Sequence, residues 1–459
     1  MTLLYIDPGT GSMLFTILLG AITTLYFFVR KLIVYLRFRA SGGKVSKEDM
    51  AKIPYLIFSD NRQYWTVFKP ICDEFERRQV PLVYWTASEE DPGLTADYKY
   101  VERKFIGKGN HAFAKLNIMN AGICLATTPG LDVLQWKRSK NVDWYVHILH
   151  AAGTSAAGYR MFSLDYYDAV LLTGDFQIDE IRELETKRNL PPKELEVIGC
   201  TYMDAMWERL QKEEAEEAGA QNAAAQEISV QTADAQETGV QTAAAQAADA
   251  QTTDAQDTEA QGTASQDLTV LLAPSWGTSS ILCRYGRNFL DALAATGYKI
   301  IIRPHPQSFV SDKAVMDELQ AAYPDSDQIS WNSDSDNFEA LRKADIMISD
   351  FSSVIFDYTL IFSKPVIYAE NTFNKDPYDA AWLDDEMWKF KVLPSIGLPL
   401  KEEDFPNLKQ IIQEAVVDTK LGEGREQARR EAWAHIGESA RLTADYMIEK
   451  YQTLKNEEQ

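Results

Sequence analysis

A chain of 459 residues is too long for one ordinary hydrophobic core and predicts two domains with additions. Its hydrophobic fraction of 45% fits a globular body, and a formal charge of −22 excludes a broad counterion-releasing surface, so no nucleic-acid partner is expected. Twelve of the acidic residues fall in 213–267, which holds no Lys or Arg, and the remainder is only mildly acidic at −10.

The first element in chain order is apolar. From Pro8 to Val29 no residue is charged, and "MLFTILLGAITTLYFFV" (Met13 to Val29) is long enough for a short spanning helix. Arg30, Lys31, Arg37 and Arg39 follow the run rather than precede it, the reverse of a cleaved signal peptide. The positive-inside rule then puts the N-terminus outside and the rest of the chain in the cytoplasm, as a single-pass protein of the cell membrane. "FVRKLIVYLRFR" reads as a basic amphipathic continuation along the inner leaflet.

The first half continues as strand-length apolar runs alternating with amphipathic segments. "PYLIFS", "PLVYWTAS", "AGICLATTPG", "DWYVHILHAAG" and "YDAVLLTGD" each end in small or turn residues. Continuous apolar strands separated by helices imply a parallel sheet covered on both faces. In "WYVHILHAAGTSAAGYR" strand alternation sends His147 and His150 to opposite sides. His150, at the strand end before a small-residue turn, is the candidate general base, and His147 the packing residue.

Between Gln211 and Gln266 the composition shifts to Ala, Gln, Thr and acid, with Gln at every fifth position from Gln221 to Gln266. A period of five fits neither a helix face nor a strand face, and little apolar surface is available to bury. This segment reads as a disordered or transiently helical linker between two halves.

The second half repeats the α/β scheme in "LTVLLAPSWG", "ILCRYGRNFLDALAATG", "YKIIIRPHP", "DKAVMDELQAAY", "ADIMISD" and "KPVIYAE". In open α/β sheets ligands bind beyond the carboxyl ends of strands, so two such domains place their chemistry in the cleft between them. In "YKIIIRPHPQS" Pro304 and Pro306 stop the strand and stiffen the backbone around His305. Arg303 offers a planar fork and His305 a hydrogen bond or a proton, a pair suited to a pyrophosphate. In "ISDFSSVIFDY" Ser352 and Ser353 stand ahead of a helix, where unpaired amides and the dipole receive an anion. Plain N-capping by the same serines fits the spacing equally well. Asp350 is expected to position a ribose, an amide or a basic partner. Ser275, Trp276 and Gly277 of "APSWGTSS", with Asp357, are expected to line the same cleft. Cys72, Cys124, Cys200 and Cys283 show no CxxC or zinc spacing and read as buried reduced thiols. With neither HExxH nor a Walker-type loop, no metal site and no cofactor beyond the substrate are expected.

Taken together, "APSWG", "RPHP" and "SDFSSVIFDY" resemble the CDP-glycerol glycerophosphotransferase family of teichoic acid synthesis. "HILHAAGTSAAGYRMFSLDYYDAVLLTG" and "LEVIGCTYMD" resemble its first domain, so the likeness covers roughly 142–210 and 267–369. It implies a GT-B-like α/β architecture of two Rossmann-like domains facing a central cleft, behind one transmembrane helix. The chain then divides into an anchor and juxtamembrane segment (1–40), an acceptor domain (41–210), the linker (211–266) and a CDP-donor domain with a terminal helix (267–459). The resemblance implies CDP-glycerol or another CDP-polyol as donor and a lipid-linked saccharide as acceptor. It implies His150 and His305 as the catalytic pair, His150 taking the acceptor proton, while Arg303, Ser352, Ser353 and His305 hold the pyrophosphate. Polymerases of the family typically have Gly after the first-domain His and Lys shortly beyond. Here Ala151, Ala152 and Gly153 follow, with no Lys nearby. A nucleotide-sugar glycosyltransferase and a non-catalytic tethered scaffold are the competing readings.

Overall fold

The computed structural model describes residues 25, 26, 29, 52–237, 268–334, 336–370 and 373–457, with side chains described only to residue 220 in the segment that ends at 237. The predicted transmembrane helix lies outside these residues, apart from Leu25, Tyr26 and Val29, which are helical and exposed. Among the described residues no helix is long and apolar enough to cross a membrane.

Two parallel sheets form the body. The first contains β1 (Ile53–Ser59), β2 (Leu82–Thr86), β3 (Val101–Phe105), β4 (Asn120–Ala126), β5 (Asn141–Ile148), β6 (Ala169–Leu172) and β7 (Glu194–Val197), in the order β3-β2-β1-β4-β5-β6-β7. The second contains β8 (Thr269–Leu272), β9 (Lys299–Ile302), β10 (Ile329–Trp331), β11 (Ile346–Ser349), β12 (Val366–Ala369) and β13 (Gly397–Leu400), in the order β10-β9-β8-β11-β12-β13. The order reverses at β1/β4 and at β8/β11, and at such a switch point the flanking connections leave to opposite sides and open a crevice. The α/β reading therefore holds in both halves. Central strands such as β6, β11 and β12 are buried at every residue, which is why they read as unbroken apolar runs.

The domains share an apolar seam. Ala152, Cys200, Met203 and Met206 of the first pack with Phe338, Leu341, Phe356 and Trp433 of the second. A second contact comes from the connection between β12 and β13. Its Ala380, Leu383 and Met387 bury against Ala156, Ala157 and Leu184, and Tyr378 makes a β-bridge to Arg160.

Two predicted boundaries move. Helix Thr201–Glu237 runs well past Gln211, so residues 211–237 take the helical alternative of the linker reading. Alternating Ala and Glu there favour helix more strongly than the pentad period opposes it. Residues 238–267 of the expected linker lie outside the described residues. The terminal helix, Ser439–Glu457, belongs to the first domain and not the second. Its Ala444 and Met447 are buried with Tyr55, Phe68 and Phe75, Arg78 pairs with Asp445 at 2.6 Å, and Trp144 Nε1 donates to Tyr446 at 3.1 Å.

The returning chain passes close over two glycines. A Cβ on Gly174 would stand 2.1 Å from the Glu431 carbonyl oxygen, and one on Gly199 (φ +88°) 2.3 Å from that of Ala434. Gly174→Ala is expected to destabilise the protein by about 1–3 kcal/mol, the usual cost of overpacking. Gly219→Ala, in open space on an exposed helix, is expected to be neutral or slightly stabilising. Parallel denaturation curves check the contrast.

Candidate active site

The carboxyl ends of both sheets face one cleft of about 720 Å³. His150 and Tyr159 line it from the first domain, and Ser275, Trp276, Arg303, His305, Ser352, Ser353 and Asp357 from the second. Two predicted residues are not at its wall.

The first-domain end is a histidine held by hydroxyls. β5 ends at Ile148, and the chain turns so that His150 reaches the end of β4, where its Nδ1 lies 2.7 Å from Thr127 Oγ1. In the tautomer whose Nδ1–H donates to Thr127, Nε2 is left as a base. The ring packs against Tyr64, centroids 5.0 Å apart, and burial pushes its pKa down to about 4, so it is neutral at pH 7. His147 is wholly buried, and burial, then the His150 charge, push it down to about 3. It is the packing residue expected, with Tyr167 at 5.0 Å. The two rings do not diverge, however. The Tyr159 hydroxyl stands 3.1 Å from His147 Nε2 and 3.5 Å from His150 Nδ1, because alternation ceases to govern direction once the strand has ended at Ile148. Thr127 and Tyr159 were not anticipated; the hydroxyls ending "LATTPG" were the only signal for the first.

At the second-domain end a backbone amide fixes the polarity of the ring. His305 Nδ1 accepts the Gln307 N–H at 3.1 Å, so the neutral ring carries its proton on Nε2 and is a donor. Trp276, 43% exposed, leans over it with centroids 6.4 Å apart. The half-buried Arg303 spends its guanidinium on Asn332 Oδ1 and on the Asp334 carbonyl at 2.8 Å. It stiffens the turn while lining the cleft.

Ser353 occupies the cap position of Val354–Phe356 without capping it through its side chain. That removes plain N-capping as the account of this serine. The helix continues as a π-turn over Asp357–Ile361, a distortion frequent at functional sites. Asp357, within it, is buried with Oδ1 unpartnered, and burial raises its pKa to about 7. Ser275 Oγ is likewise buried and unpartnered at the cleft. Buried polar atoms without partners are rare, and here they line a cleft where a polar ligand can satisfy them.

Asp350 is not a cleft residue. It is 1% exposed and accepts the backbone N–H groups of Ser275 at 2.8 Å and Ile281 at 3.1 Å. It is a brace joining the β11 end to the β8 turn. Gly277 also lies off the cleft, in a left-handed turn (φ +87°) whose N–H donates to Asp312 at 2.8 Å. In the two Asp-x-Asp triplets of this domain three acids serve local structure, among them Asp334, which accepts from Asn332 Nδ2 at 2.8 Å. Asp325 accepts Trp331 N–H at 2.8 Å, and Asp336 pairs with Arg209 at 2.6 Å. Among the described residues no group of three His, Cys, Asp or Glu side chains is arranged to hold a metal ion. The four cysteines are unpaired, Cys72, Cys124 and Cys200 being buried and Cys283 partly so.

Among solved structures, the wall teichoic acid polymerase TagF, a variant soaked with CDPG, matches with a TM-score of 0.52 and 13% identity over 94% of this chain and 98% of that one. A UDP-N-acetylglucosamine 2-epimerase matches with a TM-score of 0.51 and 12% identity, over 88% and 97%. At these identities the likeness is one of fold, two facing α/β domains of GT-B type. No curated protein matches the sequence as a relative. Residues 242–382, which carry the β8, β9 and β11 strand ends, match the family model for CDP-glycerol:poly(glycerophosphate) glycerophosphotransferase. That match spans less than a third of the chain, the part that carries most of the second-domain wall of the cleft.

Proposed function

We propose that this protein is a CDP-glycerol glycerophosphotransferase, anchored in the cell membrane by Met13–Val29, that moves glycerol phosphate, or a related polyol phosphate, from a CDP-alcohol to a hydroxyl of a lipid-linked saccharide at the inner leaflet, a reading supported by the family match over residues 242–382. The observation that carries this reading is that the two domains bring a histidine each, His150 and His305, to one cleft. The tautomer of His150 that donates from Nδ1 to Thr127 has Nε2 free to accept a proton, and His305, whose Nδ1 accepts a backbone N–H, keeps Nε2–H for donating to an anion. The acceptor oxygen forms a bond to the alcohol-bearing phosphorus as the bond from that phosphorus to the bridging oxygen breaks. CMP leaves with the bridging oxygen, and the hydroxyl proton passes to His150. His305, Ser352, Ser353 and Ser275 donate to the phosphate oxygens, where fixed donors act on charge that grows in the transition state. The polybasic run after the apolar segment, Arg30 to Arg39, would hold the body at the surface where a lipid-linked acceptor presents its hydroxyl.

The test is a thermal-shift panel on the detergent-solubilised full chain with CDP-glycerol, CDP-ribitol, CMP and UDP-sugars, beside His305→Ala. A ligand at about 100 times its dissociation constant stabilises the fold by about 2.7 kcal/mol. A CDP-alcohol is expected to raise the melting temperature of the wild type and to lose that effect in the variant. Stabilisation by UDP-sugars alone would make the cleft a glycosyltransferase's.

A further inference from the structure

The cleft holds one buried ammonium that the reading above leaves unused. Lys389 lies on the short helix Trp388–Lys391 in the β12–β13 connection, beyond the residues matched by the family. Its side chain is buried yet lines the cleft. Its Nζ donates to the Phe351 carbonyl at 3.0 Å, one residue before Ser352. Its backbone N–H reaches Thr154 Oγ1 of the first domain at 3.4 Å. The Phe373 and Phe390 rings stand 5.7 and 5.4 Å from the ammonium.

A buried ammonium with three donors needs more than one carbonyl. Phe351 O is its one hydrogen-bond acceptor among the described residues, and Asp350 and Glu180 act on it through space without a hydrogen bond. The titratable groups that face it are Asp350 at the end of β11, engaged with two backbone amides, and Glu180 from helix Phe176–Arg188. Lys391 shares its helix and faces Glu180, and His150 and Asp357 line the same cleft. The charge is thus desolvated, under-paired and next to the serine turn, which is the condition of a cation awaiting an anion. Burial holds its pKa down to about 8 although both acids work against that fall.

We propose that Lys389 binds the diphosphate of the donor directly and neutralises charge on the phosphoryl group being transferred. The identity of that anion rests on the function proposed above; the presence of an anion subsite at Lys389 does not. The experiment titrates the full chain with CDP and with cytidine by calorimetry, in wild type, Lys389→Met and Lys389→Arg, and follows CDP-glycerol turnover against pH. Lys389→Met is expected to weaken CDP at least tenfold and leave cytidine within twofold, whereas Lys389→Arg keeps CDP within about fivefold. Wild-type kcat/KM is expected to fall as pH rises through about 8, where the ammonium loses its proton, and Lys389→Arg to move that limb beyond pH 9. Unchanged CDP affinity in Lys389→Met, an alkaline limb that stays put in Lys389→Arg, or no CDP binding by wild type would each overturn the proposal. Should Lys389→Met lose the fold, the Lys389→Arg profile decides alone. Lysine-dependent CDP binding without turnover of any CDP-alcohol would sink the proposed function and leave this subsite standing.

Discussion

Replacing His150 with glutamine is expected to lower kcat by about 10²–10⁴-fold, the usual contribution of a positioned general base, and to leave affinity for the CDP-alcohol within about threefold. Glutamine keeps the size and a polar end near Thr127, 2.7 Å from the native Nδ1, but cannot take a proton. Donor contacts come from the other domain, so binding and chemistry separate. The pH profile identifies the base independently. His150 loses its function when protonated, and burial places its pKa at about 4, so kcat/KM, which reports the free enzyme, is expected to hold down to about pH 4–5. The limb in kcat is expected at higher pH, because a bound diphosphate adds negative charge beside the ring and favours the imidazolium. The competing base is Asp357, buried at the cleft with its pKa raised to about 7. An acid limb of kcat/KM near 7, together with less than tenfold loss in His150→Gln, would transfer the role to that carboxylate.

What the sequence conceals follows from where each element sits. The strands absent from the pattern reading are β3, β7, β10 and β13, and all four are sheet edges. An edge strand has one side open, so "VERKF" alternates buried and exposed residues and "ELEV" is exposed or partly so throughout. Neither reads as a continuous apolar run. The strand ends were legible because Pro304, Pro306 and the serine pair are local signals; nothing local says which sheet a final amphipathic helix will cover. Helix Ser439–Glu457 shows its apolar residues, but its partners Tyr55, Phe68 and Phe75 lie more than 360 positions away. The same blindness hid Lys389. A lysine in "EMWKFK" reads as solvent-facing until the β12–β13 connection folds back and buries it beside Phe351. Asp350 erred in the other sense, since a carboxylate at a strand end looks like a ligand group and here ties two loops together.

Arg188→Met is expected to destabilise the junction between that connection and the first domain by about 3–5 kcal/mol, the cost of leaving buried charge unpaired. The Arg188 side chain is 4% exposed and bridges Asp165, 9% exposed, at 2.7 Å and Asp379, 3% exposed. Its guanidinium stacks on Phe162 and Trp382, at 4.9 and 5.2 Å. Asp379 also accepts the Phe162 N–H at 2.7 Å. Without the guanidinium, two carboxylates face each other in a dry seam, and burial already raises Asp379 while Arg188 holds it down. The defect should therefore shrink as pH falls and the acids take up protons. Because two domains need not unfold together, the measurement is hydrogen exchange by segment, not a single melting curve. Residues 378–391 are expected to lose protection while β4 to β6 and β11 to β12 keep theirs. Arg188→Met combined with Asp165→Asn and Asp379→Asn, which removes all three charges, is expected to recover most of the loss. Activity should follow protection, because the loosened segment carries Tyr378 and Lys389 into the cleft. Full protection at 378–391 in the single variant would show that the apolar packing of Ala380, Leu383 and Met387 suffices to hold the cleft closed.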